Sequence, residues 1–399
     1  MVFGLRFNRM ELAGSLGDLG TLLPLSIGMI LVNGLNPVGL YCGVGLFYIC
    51  SGLYFRVTSP VEPMKVVSAY ALTTGVAAAQ IQASALWLFF FLLLIGLSGL
   101  MAPISRYIPK PVVRGVQLST GVLLVTQGFK FMLGTTEFQR LQHAAEPYLT
   151  HQTVGPLPVG VLIGGLLGIM TLLLLNNRRL PAAIAVVCGG LVVGLLLGAG
   201  EGLGGLRPGF HAPTLLPFGF PSADAFAVAL AVLALPQLPM TIGNAVIANA
   251  DLSIQYFPQN GRRVTQRALC LSMAAANLGA FLLGGMPMCH GAGGLASRYR
   301  FGARTGASNL IIGAAFVLIP LLFGEDVLAL VSLLPMSALG VLLVFAGAQL
   351  ALTILDLQTR KALFVPVVML GITLASNLAA GFLVGIALAY VLRSEKLMV

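Results

Sequence analysis

The stretch PVEPMK, residues 60–65, interrupts a chain that is otherwise a succession of long apolar segments, and the stretch MPMCHGAGGLASRYR, residues 286–300, interrupts it a second time. Both are too short or too polar to cross a bilayer, because a spanning helix needs about 20 apolar residues. Each carries a Pro-Met pair, at Pro63 in the first stretch and at Pro287 in the second. The sequence therefore predicts two partial spans at these positions.

The rest of the composition is that of a polytopic integral membrane protein. Of the 399 residues, 58% are hydrophobic and only 9% are charged, whereas soluble domains carry about 25% charged residues. Mean hydropathy is +0.97. A soluble enzyme, a nucleic-acid-binding protein and a disordered scaffold are excluded on these grounds. The net charge of +10 is expected to mark cytoplasmic loops, where Lys and Arg collect.

Full-length spans, the two partial spans and a long final segment add up to about 14 crossings. The final segment, 362–392, is long enough for two short spans broken around Ser376 and Asn377. With both termini in the cytoplasm, even-numbered crossings end on basic loops, as the positive-inside rule requires. Arg298, Arg300 and Arg304 are expected to anchor the cytoplasmic edge. The full-length spans are predicted near 12–32, 37–55, 82–102, 112–133, 157–175, 180–199, 223–249, 265–285, 304–323 and 335–355.

The spacing of the polar positions indicates an internal repeat. Asp18 precedes Pro63 by 45 residues, and Asn244 precedes Pro287 by 43 residues. Seven crossings in each half would place the halves, 1–205 and 206–399, in opposite orientations, with no soluble domain. Short interrupted segments at matching positions of inverted repeats indicate the binding site of a transporter.

The first partial span contains Glu62, Pro63, Met64 and Lys65. Charged residues within a membrane are functional by default. Proline is favoured at the start of a helix, and the first-turn N–H groups there carry about half a positive charge. Lys65 adds a full positive charge. The alternative is that Lys65 merely pairs with Glu62.

The second partial span contains Cys289, His290, Gly291 and Ala292. Small residues at a helix start allow a ligand to approach the backbone N–H groups. His290 is the only histidine in a predicted membrane segment, and it lies beside a glycine-rich turn. We expect it to be functional, the alternative being a satisfied structural residue.

Two further stretches bring polar groups into apolar spans. Residues 14–21 surround Asp18 with small residues and end at Thr21. Asp18 could accept a proton, or it could cap a broken helix. The stretch at 236–244 contains two prolines, which force an irregular backbone that is tolerated at membrane depth only where it is buried or lines a cavity. Its polar side chains are Gln237, Thr241 and Asn244.

Together, four stretches resemble the molybdate transporter family, a branch of the sulfate permease superfamily that lacks the usual C-terminal regulatory domain. They are GSLGDLGTLLPL at 14–25, PVEPMKVVSAYAL at 60–72, PQLPMTIGNAVIA at 236–248 and MPMCHGAGGLASRYRFGARTG at 286–306. The resemblance implies an all-α polytopic fold of seven plus seven inverted segments, divided into core and gate domains. Segments 3 and 10 would be half-helices that meet at the substrate.

The resemblance also implies a set of substrate-binding residues. The positions carried over from it are Asp18, Glu62, Pro63, Lys65, Gln237, Asn244, Cys289, His290 and Gly291. Thr21, Met64, Thr241 and Ala292, from the same stretches, complete the predicted site.

Electrostatics agrees with an oxyanion. Burying an unpaired dianion costs tens of kcal/mol. Two half-helix starts supply about one positive charge together, and Lys65 raises this to about two. That balance fits molybdate or sulfate without a metal or cofactor, provided that nearby acids are neutral or paired. We therefore expect proton-coupled symport through Glu62 or Asp18, with Glu62 preferred because it adjoins the half-helix.

The leading hypothesis is a secondary molybdate transporter that works by alternating access, with sulfate as the next choice of substrate. A uracil- or purine-type permease and a passive anion channel remain open. The permease would need acidic residues where this chain has Gln237, Asn244 and His290. An enzyme is not expected, since no paired-carboxylate or Ser–His cluster is visible. Expected partners are the substrate anion and membrane lipid, with a homodimer as one expected assembly, in the cell (inner) membrane and without nucleic acid.

Overall fold

The computed structural model describes residues 5–99, 109–175, 177 and 182–393. In this part of the chain six helices are long and apolar enough to cross a membrane, and a seventh candidate arises if the bent pair at 9–33 counts as one span. The six are Pro37–Phe55, Ala78–Ser98, Ala223–Tyr256, Gln266–Leu283, Ala307–Val331 and Met336–Asp356.

The first half of the chain is helical apart from short strands. In order it forms α1 (Arg9–Ser15), α2 (Leu19–Asn33), α3 (Pro37–Phe55), β1 (Glu62–Pro63), α4 (Lys65–Thr74), α5 (Ala78–Ser98), α6 (Lys110–Leu133), α7 (Glu137–Leu141), β2 (Thr153–Val154), β3 (Leu157–Pro158), α8 (Val159–Leu174), α9 (Ala182–Leu196) and a 3-10 turn at Ala199–Gly205.

The second half begins with one long helix. In order it forms α10 (Ala223–Tyr256), a 3-10 turn at Gly261–Arg263, α11 (Gln266–Leu283), β4 (Met288–Cys289), α12 (Ala292–Arg300), α13 (Ala307–Phe323), a 3-10 turn at Gly324–Asp326, α14 (Val327–Val331), α15 (Met336–Ala351), a 3-10 turn at Leu352–Asp356, α16 (Arg360–Ala375) and α17 (Leu378–Val391).

Several features differ from the predicted spans. In the described residues the spans expected near 157–175 and 180–199 are the shorter apolar helices Val159–Leu174 and Ala182–Leu196, and two other spans differ at their starts. The first span, expected near 12–32, is two helices that meet at an angle of 42°, with the chain turning between Ser15 and Leu19. The helix expected from residue 82 begins at Ala78, because the Gln80 side chain accepts a hydrogen bond from the Ala77 N–H and so caps an earlier start.

The predicted break at Ser376 and Asn377 is present. α16 ends at Ala375 and α17 begins at Leu378. The Asn377 side chain accepts a hydrogen bond from Ala380 N at 2.8 Å, which satisfies one of the free N–H groups at the new helix start.

Helix α10 accommodates two prolines without breaking. Pro236 and Pro239 lie in an α-helical section at 235–240, which is flanked by π-helical turns at Ala229–Ala234 and Thr241–Ala248. Proline removes a hydrogen-bond donor and crowds the preceding turn, and wider π turns often appear at functional sites. The irregular backbone predicted for this segment therefore takes the form of π turns.

The two predicted partial spans meet at the centre of the structure. Strands β1 and β4 pair antiparallel, with Glu62 opposite Cys289 and Pro63 opposite Met288. Each strand leads into a short helix, α4 or α12, and we call these the two half-helices. Pro63, expected to open the first half-helix, instead lies in β1, and the helix begins two residues later at Lys65.

Helices α6 and α15 pack closely around reciprocal glycine contacts. A Cβ added at Gly121 would lie 2.5 Å from the Gly347 carbonyl oxygen, and one at Gly347 would lie 2.5 Å from the Gly121 oxygen. Gly128 and Gly340 repeat the arrangement at 2.5 Å. Small residues allow helix backbones to approach in this way in membrane proteins. These two helices form one wall of the central cavity.

Candidate substrate-binding site

A cavity of about 400 Å³ lies beside the antiparallel pair β1 and β4, which we call the crossing strands. It brings together five of the residues predicted from the sequence: Asp18, Thr21, Glu62, Lys65 and Asn244. Asp18 and Thr21 lie at the start of α2, Glu62 and Lys65 lie in β1 and at the start of α4, and Asn244 lies in a π turn of α10. The remaining polar side chains of the lining, from α6, α8, α12, α15 and the segments next to them, are Gln117, Thr171, Asn177, Ser297, Arg300, Gln349 and Thr353.

Sequence reasoning missed the polar residues of the opposite wall. Gln117, Thr171 and Gln349 each stand within an apolar helix, without a neighbouring proline or glycine cluster to mark them. Gln117 accepts hydrogen bonds from Arg114 and Thr353. The available signal was the presence of a polar side chain inside a span, which is costly unless it faces a cavity or a partner.

The cavity continues into a wider groove of about 980 Å³ at the end of α12. Both spaces are lined by Ser297, Arg300, Phe301 and Gln349. Arg300 is exposed, and among the described residues it has no ion-pair partner. The route out of the cavity therefore passes an unneutralised positive charge.

Glu62 and Lys65 form an ion pair at the edge of the cavity. Lys65 Nζ lies 2.8 Å from Glu62 Oε2, and the side chains are 14% and 2% exposed, respectively. Among the described residues Glu62 is the one hydrogen-bond partner of Lys65, although an ammonium group has three donors. Lys65 therefore has unused donors next to the cavity.

The Glu62 carboxylate also lies against the start of the second half-helix. A Cβ added at Gly294 would be 2.9 Å from Glu62 Oε1, and one at Gly291 would overlap Glu62 Oε2. The residue at the helix start, Gly291, has no side-chain cap. The Asn244 amide nitrogen is 3.5 Å from the same Cβ position of Gly291. Ala292, the first residue of α12, lies next to this contact.

The start of the first half-helix is occupied by a protein side chain. Gln237 Oε1 accepts hydrogen bonds from Val66 N at 3.0 Å and Val67 N at 3.3 Å. Its amide nitrogen donates to Thr241 Oγ1 at 2.9 Å. Gln237 and Thr241 are each 1% exposed, so the geometry makes them a cap for α4. The two half-helix starts, expected to act alike, have different partners.

Asp18 forms a fully buried ion pair with Arg298. Asp18 Oδ1 lies 3.0 Å from Arg298 Nη1 with both side chains 0% exposed, and Asp18 Oδ2 accepts a hydrogen bond from Val61 N at 3.2 Å. The expectation that Arg298 anchors the cytoplasmic edge is wrong, because its position in α12 points the guanidinium into the protein. Its five N–H groups reach Ser15 O, Asp18 Oδ1, Thr58 Oγ1, Ser308 Oγ and Asn309 Oδ1.

His290 lies outside the cavity lining and is 0% exposed. Its Nδ1 contacts Pro60 O at 2.7 Å, and its Nε2 contacts Ser272 Oγ at 3.0 Å. The ring also packs against Phe47 and Phe55. Both nitrogens have protein partners, so the geometry corresponds to the structural alternative. Pro63 and Cys289, in the paired strands, and Met64, just before α4, are likewise buried and do not line the cavity.

The charges of the site sum to a small positive value. Each ion pair is neutral in itself, so Lys65 does not add the full charge expected from the sequence while Glu62 is ionised. The half-helix starts contribute about half a charge each. Among the described residues no group of three His, Cys, Asp or Glu side chains could hold a metal ion. The available chemistry is that of backbone N–H, amide and ammonium donors around a cavity of about 400 Å³.

Comparison with known proteins finds similarity to molybdate transporters. A family model described as a molybdate transporter of the MFS superfamily matches residues 10–124 and 229–350. Molybdate transporter 2 of Arabidopsis thaliana is 30% identical over 423 residues, covering 97% of this chain and 88% of that protein. Molybdate transporter 1 of Chlamydomonas reinhardtii is 30% identical over 465 residues, covering 94% and 90%.

Solved structures share the fold at low sequence identity. The transmembrane domain of a cyanobacterium bicarbonate transporter, BicA, matches with a TM-score of 0.64 and 16% identity, over 96% of this chain and 98% of that one. The murine anion transporter Slc26a9 in the inward-facing state matches with a TM-score of 0.66 and 15% identity, over 97% and 68%. The arrangement of helices is thus one found in anion transporters.

Proposed function

This chain belongs to the molybdate transporter family, and from that premise we propose that it is a secondary active transporter of a tetrahedral oxyanion, with molybdate as its substrate. It is an integral membrane protein, and its relatives are transporters rather than enzymes. Sulfate, which has the same shape and charge, is the closest competing substrate.

The observation that carries the proposal is the set of donors around one cavity. Lys65, Asn244 and the first turn of α12 at Gly293 and Gly294 line a space of about 400 Å³. Helix starts and ammonium groups suit oxygen atoms of an anion. Because the site holds a small positive charge and lies among apolar helices, it favours an anion over a neutral base.

The charge balance supports coupling to protons. While Glu62 is ionised, it neutralises Lys65, and the site supplies only about one positive charge from the helix starts. Protonation of Glu62 releases the charge of Lys65 and raises the total to about two, which matches a dianion. The second coupling candidate, Asp18, is held by Arg298 and Val61. We therefore assign the coupling proton to Glu62.

For the transport cycle we propose an inverted repeat of seven plus seven segments, with halves at 1–205 and 206–399. The half-helices α4 and α12 would be segments 3 and 10 and would belong to the core domain. Helices α6 and α15 would belong to the gate domain. Rocking of the gate against the core would expose the site to each side in turn.

The orientation follows from the basic loops. The groove at the end of α12 opens beside Arg300 and Arg304, and the positive-inside rule assigns such a face to the cytoplasm. In this orientation the structure is open inward, with both termini cytoplasmic. We propose the cell membrane as its location and a homodimer as its assembly.

Uptake of labelled molybdate into proteoliposomes tests the proposed function. We expect saturable uptake, driven by an inward proton gradient and reduced by excess sulfate. Counterflow, in which internal unlabelled molybdate accelerates entry of label, separates a carrier from a passive channel. Liposomes that take up no molybdate and no sulfate under any gradient would contradict the proposal.

A further inference from the structure

The Glu62 carboxylate lies against the start of α12 at the edge of the cavity. Both of its oxygens lie against the glycine-rich start of α12, with Oε1 2.9 Å from the Cβ position of Gly294 and Oε2 in closer contact with that of Gly291. Helix starts attract anions through their free N–H groups and dipole. The carboxylate therefore fills the space through which an oxyanion would reach the start of α12, and its own hydrogen-bond donor among the described residues is Lys65.

The chain uses a carboxylate at a helix start elsewhere. Glu146 is 1% exposed, and its two oxygens accept hydrogen bonds from Met336 N and Ser337 N, both at 2.8 Å, at the start of α15. There the carboxylate caps the helix through these two hydrogen bonds. Among the described residues no cation pairs with it that could draw it away. Glu62 differs because it faces a cavity and a lysine with unused donors.

The second half-helix is the available anion position of the two. The first-turn N–H groups of α4 at Val66 and Val67 are already bonded to Gln237. At the start of α12 the Asn244 amide is half-buried and has no hydrogen-bond partner among the described residues. A free amide donor beside an uncapped helix start indicates a position for a ligand oxygen.

We propose that the Glu62 carboxylate is a tethered competitor of the substrate: it occupies the start of α12 in the empty transporter, and the oxyanion binds there when Glu62 becomes protonated and withdraws. This inference rests on the proposed function and specifies where the anion binds. Lys65, released by Glu62, then donates to the anion. Proton and anion bind together because an ionised Glu62 both blocks the position and consumes the positive charge of Lys65.

The other groups around Glu62 do not supply this switch. Cys289 faces it across the strand pair, and Asp18 is fixed by Arg298. The His290 ring is turned toward Pro60 and Ser272. Lys65 is the one cation in direct contact with Glu62 among the described residues. Among the described residues Tyr48 is a further titratable neighbour, and its hydroxyl donates to Val61 O.

Molybdate binding to the purified full-length protein, measured by calorimetry in wild type and Glu62→Gln, tests the inference. Glutamine keeps the size of the side chain and removes its charge, so we expect about tenfold tighter binding or more. Wild-type affinity should rise as the pH is lowered, and the affinity of Glu62→Gln should not depend on pH. Glu146→Gln, which alters the carboxylate at the other helix start, is the matched control and should bind as wild type does.

The outcomes separate the two proposals. Equal or weaker binding by a folded Glu62→Gln, or a wild-type affinity independent of pH, overturns the competitor role while leaving an oxyanion transporter in place. A protein that binds neither molybdate nor sulfate in any variant overturns the proposed function itself. If Glu62→Gln does not fold, Glu62→Asp is used in its place. Because aspartate keeps a titratable carboxylate, its affinity for molybdate must still depend on pH.

Discussion

Two ion pairs flank the crossing strands, and they have the same charges and nearly the same length. Lys65 Nζ lies 2.8 Å from Glu62, and Arg298 Nη1 lies 3.0 Å from Asp18. Their surroundings differ. Arg298 is 0% exposed and uses all five N–H groups, whereas Lys65 is 14% exposed and, within the described part of the chain, donates only to Glu62.

This difference separates support of the fold from binding of the substrate. An ion pair that is dry and fully hydrogen-bonded is stable only in one arrangement, because any change leaves a buried charge without partners. An ion pair with spare donors beside a cavity is able to exchange its partner for a ligand. The Asp18–Arg298 pair therefore joins the bend of the first helix to α12 and α13, and the Glu62–Lys65 pair handles the anion.

Replacing Arg298 should have the largest effect. Arg298→Ala removes five hydrogen bonds and leaves Asp18 buried without its cation, which typically costs about 3–5 kcal/mol. We expect the variant to accumulate poorly and its thermal unfolding midpoint in detergent to fall strongly. The double variant Asp18→Asn, Arg298→Gln, which leaves no unpaired charge, should unfold at a higher temperature than Arg298→Ala. If Arg298→Ala is as stable as the wild type, the Asp18–Arg298 pair does not stabilise the fold.

Replacing Lys65 should affect binding far more than folding. Lys65→Gln removes the cation that pairs with Glu62, and we expect molybdate affinity to fall about tenfold or more. The unfolding midpoint should change less than in Arg298→Ala, because water in the cavity solvates the exposed end of the pair. Calorimetry and thermal unfolding on the same preparation check both parts. Unchanged affinity in a folded protein would exclude Lys65 from the site.

The start of α12 offers a smaller and more local test. Gly291→Val places a branched side chain where the Glu62 carboxylate now lies, so we expect uptake to fall several-fold through loss of access to the backbone N–H groups. Gly293→Ala is the matched control, since nothing lies within 4 Å of its Cβ position. Normal uptake by Gly291→Val, or equal losses in both variants, would contradict binding at this helix start.

Replacing Glu146 should have the smallest effect, and it should change stability without changing molybdate binding. Burial raises the pKa of the Glu146 carboxyl above its ordinary value. Because the folded state then holds the proton more readily than the unfolded state, the stabilisation is full below the unfolded pKa and is lost as the pH rises through the folded pKa. We expect Glu146→Gln to flatten this part of the pH profile of the unfolding midpoint. An unaltered profile would assign the pH dependence to another group.

The site residues that can be predicted from the sequence are those whose placement in an apolar segment is energetically costly. Glu62, Lys65 and Asp18 are predicted because a charge in an apolar segment is unfavourable unless it has a partner or a function. Asn244 is predicted because it lies in a stretch that contains two prolines. The same reasoning located the two crossing segments, since a short segment interrupted by proline does not span a membrane. Local patterns of this kind are present in one stretch of chain and do not depend on the packing.

The parts that could not be predicted depend on contacts between distant segments. Arg298 stands close to Arg300 and Arg304 in the sequence and was assigned to the same membrane edge, although its partners come from residues 15–18, 58 and 308–309. Gln237 gives no sign that it caps a helix 171 residues away. His290 is predicted to be functional because it lies beside a glycine-rich turn, and the sequence gives no sign of its partners Pro60 and Ser272.

The most direct test of the central claim compares the two ion pairs within one assay. The initial rate of molybdate uptake, normalised to folded protein, is measured for the double variants Glu62→Gln, Lys65→Gln and Asp18→Asn, Arg298→Gln, each of which removes one pair without leaving a charge. We predict that the first variant folds normally and loses uptake, and that the second loses folded protein while its folded fraction still takes up molybdate. Normal uptake in the first variant together with a folded, inactive second variant would contradict the assignment of the two pairs.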